Sequence, residues 1–168
     1  RMLMAVGHRD IGLLAGPVET STGTGREAGV RDALADAGVP LRQIHVVRGW
    51  FGHDSGDAGM RKLMAQDHPP RAVVCVSDSV AIGALNAAHA LGLRVPEDVA
   101  LVGIDDVPTS SWAICNLSTV AIPLPQMARD AANLLVDRMT GVLPDKPVDH
   151  VHPVHPVLRG THQLTGSI

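Results

Sequence analysis

The sequence predicts an α/β protein built on a parallel sheet with helices on both faces. Three observations lead there. Short runs such as residues 72–76 and 99–104 are almost continuously apolar and β-branched, as strands covered on both faces should be. Stretches with apolar residues at helical spacing separate them, which makes the repeating unit strand–helix–strand. Glycine or Gly-Pro closes most of the elements, and right-handed crossovers then place helices on both sides of the sheet. At 168 residues the chain is long enough for one domain with a sizeable core.

In chain order, residues 1–6 read as the last turn of a helix capped by Gly7. A helix so short does not form alone, so the chain is expected to be a piece of a longer protein. Residues 10–15 form a buried strand ended by Gly16-Pro17, and residues 18–24 a small polar loop. Residues 26–37 have helical spacing, with Val30, Ala33, Leu34 and Ala37 on one face and Gly38 as the stop. A second strand at 44–47 leads into the loop Gly49-Trp50-Phe51-Gly52. Asp54 and Ser55 are placed to cap a helix to about Gln66, with Ala58, Leu63 and Met64 inward. The third strand is 72–76. Ser77 or Asp78 caps the next helix, which runs from Asp78 to Leu91 and stops at Gly92. Pro96-Glu97-Asp98 turns the chain into a fourth strand, 99–104. Beyond Pro108 the pattern changes: a short strand at 117–122, then a helix at 125–139, since proline suits a first turn. Its apolar stripe is Met127, Ala131, Leu134, Leu135 and Met139. A tail rich in Pro and His ends in an extended run at 154–158. In a sheet of this kind functional loops lie at the carboxyl ends of the strands, here 16–25, 48–54, 77–79 and 105–107.

Composition excludes several functions. The formal net charge is −3, whereas a surface that grips nucleic acid usually carries a basic excess. Trp50, Phe51 and Trp112 are the only aromatics, too few for base-stacking platforms. No apolar run is long enough to span a membrane, and no basic-then-apolar leader supports secretion, so the expected location is cytoplasmic. Cys75 and Cys115 form neither a metal spacing nor a disulfide framework, and Cys75 reads as a small core hydrophobe.

Chemical motifs are sparse. Thr22-Gly23-Thr24-Gly25-Arg26-Glu27 sits where phosphate loops occur but lacks the Lys-Ser/Thr of a P-loop and the third glycine of a dinucleotide fingerprint. There is no nucleophile elbow and no H-E-x-x-H helix. Asp105-Asp106 is a carboxylate pair, yet adjacent residues tend to point apart, and a turn cap accounts for one of them. No catalytic residue is assigned and no enzyme activity is expected. Nine histidines is a high count, and His150 and His152 would point to one side of an extended segment. Zinc would need further ligands, so the segment with His155 reads as a solvated edge and no metal or cofactor is assigned. Trp50-Phe51 fits equally a ring buried in the core and a wall of a ligand pocket.

Several stretches together resemble the LacI/GalR family of bacterial transcription regulators. They are Gly7-His8-Arg9-Asp10-Ile11, Ala15-Gly16-Pro17, Gly25-Arg26 with Gly29, Ser77-Asp78 with Ala81-Ile82-Gly83-Ala84, Leu93-Arg94-Val95-Pro96-Glu97-Asp98-Val99, Val102-Gly103-Ile104-Asp105-Asp106 and Leu117-Ser118-Thr119-Val120. The resemblance is to the effector-binding domain, whose fold is that of type I periplasmic binding proteins, and it runs from residue 1 to about Thr161. It implies that residues 1–121 are the C-terminal lobe, that 122–147 belong to the N-terminal lobe, and that 148–168 return and form the tail. The helix at 125–139 would then lack its usual sheet, and its apolar face is expected to be covered by another chain or a swapped segment.

The same resemblance implies a sugar-like small-molecule effector bound by Arg26, Phe51, Ser77, Asp78, Asp105 and Ile122. Arg26 would reach polyol or carboxylate oxygens, Phe51 would stack on the ligand, and Asp105 would accept from hydroxyls or ring N–H groups. Arg26 has an alternative as a solvent-exposed residue at a helix start. Ser77 and Ile122 stand where several family members have more polar side chains, which suggests a less polar pocket floor. The helix from Asp78 to Leu91 resembles the family's dimerisation helix, although its alanines would equally let it cover the sheet. Operator DNA would be read only by a helix-turn-helix that this chain does not contain. Two rival readings remain, a solute-binding protein of an ABC transporter and an enzyme using Asp105 or Asp106.

Overall fold

Four parallel strands carry the molecule: β1 (Ile11–Ala15), β2 (Val46–Arg48), β3 (Ala72–Cys75) and β4 (Ala100–Val102), in the spatial order β2-β1-β3-β4. The computed structural model describes residues 1–143 and 146–162. Residues 144–145 and 163–168, parts of the expected crossing and tail segments, lie outside the described residues.

Every residue of β1 is buried, as a strand covered on both faces requires. Alternation along the strands divides the core in two. On one face Leu14, Val73, Cys75 and Leu101 pack against α3 (His53–Met64) and α4 (Asp78–Ala90). On the other, Ile11, Ala72, Ala100 and Val102 pack against Leu3 of α1 (Met2–Ala5) and Leu34 of α2 (Ser21–Asp36). The predicted α/β class and helices on both faces are therefore observed. Cys75 is a core residue whose thiol burial pushes well above its ordinary range.

α3 and α4 cross at backbone contact. A Cβ on Gly83 would come within 1.9 Å of the His53 carbonyl oxygen, and one on Gly56 within 2.0 Å of that of Val80. Ala81, Ala84, Ala87 and Ala88 are fully buried, so they serve packing within this chain. A dimer contact through this helix would have to use its exposed residues, among them Asn86, His89 and Ala90.

Three local expectations are corrected. α2 begins at Ser21 with Thr20 as its cap, not at Arg26, because the Thr20 hydroxyl accepts from the Gly23 N–H at 3.0 Å. The glycine-rich stretch is thus helix, and Arg26 stands in its second turn. α3 has Gly52 at its N-cap, while the Ser55 hydroxyl accepts from the Trp50 N–H at 2.9 Å. Ala58 is exposed, and Gly59, Met60 and Leu63 form the inner face instead.

Beyond β4 the chain adds β5 (Thr119–Ala121), antiparallel to β6 (His155–Val157). A bridge from Asp105 to Ala121 and the Gly103 N–H on the Ser118 carbonyl join this pair to the main sheet. Between β5 and β6, α5 (Leu124–Met139) stands off with no buried residue. Leu135 is 60% exposed and Leu134 half-buried, beside a groove that Leu143, Pro147 and Val148 help to line. No other element among the described residues buries the stripe.

Leu63, fully buried, and Leu135 give a direct test of where the core lies. Leu63→Ala should cost about 2–5 kcal/mol in urea denaturation, as deletions at fully buried positions do. Leu135→Ala should stay within about 0.5 kcal/mol when this chain is measured alone.

Candidate functional site

The carboxyl ends of β1 and β3 deliver the chain to the starts of α2 and α4, and a cleft of about 360 Å³ opens there. Its walls are Thr20, Thr22, Arg26, Phe51, Ser77, Ser79 and Asp105. The structure thus brings together four residues singled out from the sequence: Arg26, Phe51, Ser77 and Asp105.

Arg26 is not a solvated helix residue. Its Nη2 donates to Asp105 Oδ1 at 2.7 Å and its Nη1 to the Val76 carbonyl at 2.7 Å, with a side chain only 22% exposed. The neighbouring Glu27 is clamped by Arg48 and Arg31, and the Arg48 contact above all holds its carboxyl down to about 2. That clamp anchors the turn of α2 from which Arg26 reaches across.

Asp105 sits with φ +127°, a conformation that non-glycine residues rarely adopt and that tends to mark functional positions. Burial pushes its carboxyl above the ordinary range against the pull of Arg26, and the nearby Asp78 charge adds to the rise. Asp106 turns away, accepting from Arg159 Nη2 at 2.8 Å. The two adjacent carboxylates therefore serve separate arginines and form no acid–base pair.

Phe51 packs against the core cluster and also lines the cleft, so it meets both readings of the loop. A Cβ on Gly16 would lie 2.9 Å from the ring, so only glycine leaves it room there. Trp50 is 68% exposed and meets Phe51 edge-on. Ser77 caps α4 through the Val80 N–H, and its hydroxyl donates to the Phe51 carbonyl at 3.3 Å, tying the two loops together.

Two expected contact residues are placed elsewhere. Asp78 is fully buried below the cleft: its carboxylate accepts from Thr119 Oγ1 at 2.5 Å, Ser110 Oγ at 2.6 Å and the Val107 N–H at 3.0 Å. A side chain on Gly103 would come within 2.1 Å of it, so the glycine makes its berth. Ile122 is half-buried at the end of β5 and is not among the cleft residues. Sequence reasoning missed Thr20, Thr22 and Ser79. Reading α2 five residues short hid the first two, and Ser79 carries no signal beyond its place in a first turn.

The histidine segment is also corrected. His152 is not solvated: its side chain is 11% exposed and its Nε2 lies 2.7 Å from Asp130 Oδ2 on α5.

A second cavity, about 380 Å³, lies between α1, α2 and the sheet, lined by residues such as Leu3, Ile11, Val30 and Leu34. It suits apolar atoms. The smaller cleft has hydroxyls, a guanidinium, a carboxylate and one aromatic ring, the mixture that fixes a polar ligand's orientation.

Fold and cleft together define a doubly wound α/β unit with a polar cleft at the carboxyl ends of its strands. The model for a periplasmic binding protein-like domain matches residues 1–162, so the chain belongs to that family, in the form that LacI/GalR regulators carry. The HTH-type transcriptional repressor PurR of Escherichia coli O1:K1 is 39% identical over 153 residues, 91% of this chain and 45% of that protein. The transcriptional regulator CelR, solved as a complex with cellobiose, is 40% identical with a TM-score of 0.90, over 95% of this chain and 48% of that one. A LacI-family regulator from Mycobacterium smegmatis is 31% identical with a TM-score of 0.87, over 96% and 60% respectively. The chain thus spans less than half the length of PurR and CelR. No helix among the described residues is long and apolar enough to cross a membrane.

Replacing the buried carboxylate tests the scaffold beneath the cleft. Asp78→Ala leaves three donors without their acceptor and should cost about 3 kcal/mol or more in chemical denaturation, a penalty in the range for broken buried networks. A loss below about 1 kcal/mol would show that water replaces the carboxylate there.

Proposed function

We propose that this chain is the ligand-sensing part of a LacI-type transcription regulator and that its cleft binds a sugar-like metabolite. The observation that carries the reading is the Arg26–Asp105 pair, 2.7 Å apart and half-buried, facing Phe51 across a polar cleft. A guanidinium donates, a carboxylate accepts, and a ring covers an apolar face, which together suit a polyol. The cellobiose complex of the CelR relative supports the ligand class. Because the relatives reported above are regulators, this reading is preferred to a periplasmic solute-binding protein.

On this reading residues 1–121 are one lobe, 122–147 cross to a second, and 148–168 return. The exposed stripe of α5 is then covered by that second lobe or by another chain. Ligand bound between lobes biases their angle only by its differential affinity for the two states, and so changes operator binding by a helix-turn-helix elsewhere in the full-length protein. The protein works in the cytoplasm as a dimer and is not an enzyme, in keeping with Asp105 and Asp106 each being held by an arginine.

A thermal-shift screen of the full-length protein against sugars and polyols tests this. A ligand at 100 times its Kd should add about 2.7 kcal/mol of stability, a rise of several degrees in Tm. Arg26→Ala and Asp105→Asn should each abolish the rise. The unliganded protein should tolerate Asp105→Asn. With the carboxyl raised in the fold, its contribution favours folding at pH below the unfolded value of 3.8 and is lost as pH rises through the folded one, so at pH 7 its charge adds nothing. A rise that persists in both variants would sink the assignment.

A further inference from the structure

We propose that Asp130, His150 and His152 form a binding site for one divalent metal ion of the zinc class. One ligand atom from each lies within 4.8 Å of the others. Asp130 projects from α5 and the two histidines come from the segment that returns toward β6, so the site joins two stretches of chain far apart in sequence. The His150 and His152 rings stack with centroids 4.4 Å apart and planes 24° from parallel. His152 and Asp130 are the inner pair, with side chains 11% and 20% exposed, and His150 covers them from the solvent side.

The dimensions suit such an ion. Zinc binds imidazole nitrogen and carboxylate oxygen at about 2.0–2.2 Å, which sets two ligand atoms of a tetrahedral site roughly 3.3 Å apart. The 2.7 Å separation of His152 Nε2 and Asp130 Oδ2 needs to open by only about half an ångström, and the exposed His150 ring can close from outside. His152 Nδ1 is buried without a hydrogen-bond partner among the described residues. Nε2, the nitrogen beside Asp130, is therefore the one that meets the ion, and no hydrogen bond at Nδ1 among the described residues holds the ring against the small shift this needs.

The donor set selects the class. Two imidazoles and one carboxylate favour zinc, nickel, cobalt or copper over magnesium and calcium, which prefer oxygen cages. Three protein ligands leave a fourth position for water. The ion would staple α5, which buries none of its residues, to the returning segment, and so stiffen that helix against the rest of the chain.

The test uses tag-free full-length protein stripped with a chelator, then titrated with zinc chloride by calorimetry, with bound metal counted by mass spectrometry after dialysis. The wild type should take up a zinc equivalent that is lost, or weakened at least tenfold, in His150→Ala, His152→Ala and Asp130→Asn. His150 is exposed, so His150→Ala should leave the zinc-free Tm unchanged while removing the zinc-dependent rise. His89→Ala, at an exposed histidine outside the cluster, should bind as the wild type does. Absence of zinc uptake by the wild type would overturn the proposal. So would uptake that is the same in the His150→Ala and His152→Ala variants, since the metal would then lie elsewhere.

Discussion

A single buried carboxylate organises the floor of the cleft. Asp78 opens α4, yet its oxygens reach the Val107 N–H, Ser110 and Thr119, and so bind the start of one helix to the β4–β5 connection and to β5. An isolated buried charge would cost far too much free energy, and three donors make this one tolerable. The Asp78 N–H in turn donates to the Ile104 carbonyl at 2.7 Å, one residue before Asp105. The unusual backbone of Asp105 is therefore braced on one side by Asp78 and on the other by its own N–H on the Val120 carbonyl. Only with that bracing does its carboxylate meet Arg26 at the cleft wall.

This arrangement separates the scaffold from the cleft wall. Asp78, Gly103 and the close crossing of α3 and α4 set the backbone, while Arg26, Asp105, Phe51, Thr20, Thr22 and Ser79 line the cleft. Burial raises the Asp105 carboxyl even beside the Arg26 guanidinium, and perturbed groups of this kind cluster at functional sites. The two cavities divide similarly: the one between α1, α2 and the sheet is apolar, whereas the cleft carries the directional groups.

The sheet was largely legible in the sequence because buried parallel strands are written as apolar runs bounded by glycine and proline, and the four main strands lie where those runs lie. Local capping was less legible. Gly23 and Gly25 disguise the first turns of α2 as a loop, although Thr20 is a good cap. Of the cleft residues, Arg26, Phe51, Ser77 and Asp105 were reached through family resemblance, since nothing in spacing alone links a residue of α2 to positions on three different strand-end loops. Asp78 was misread as a contact residue because an Asp at a helix start looks the same whether it faces outward or inward. His152 was misread as solvated because its partner, Asp130, is 22 residues away and only the packing of α5 brings them together.

The central claim is that the cleft between Arg26, Phe51 and Asp105, and not the apolar cavity beside α1, receives the ligand. A crystal structure of the full-length protein with a metabolite that raises its Tm tests this most directly. The account predicts ligand hydroxyls within hydrogen-bond distance of the Arg26 guanidinium and the Asp105 carboxylate, with one face of the ligand on the Phe51 ring. A ligand lodged among Leu3, Ile11, Val30 and Leu34, with Arg26 and Asp105 still bonded only to each other, would contradict it.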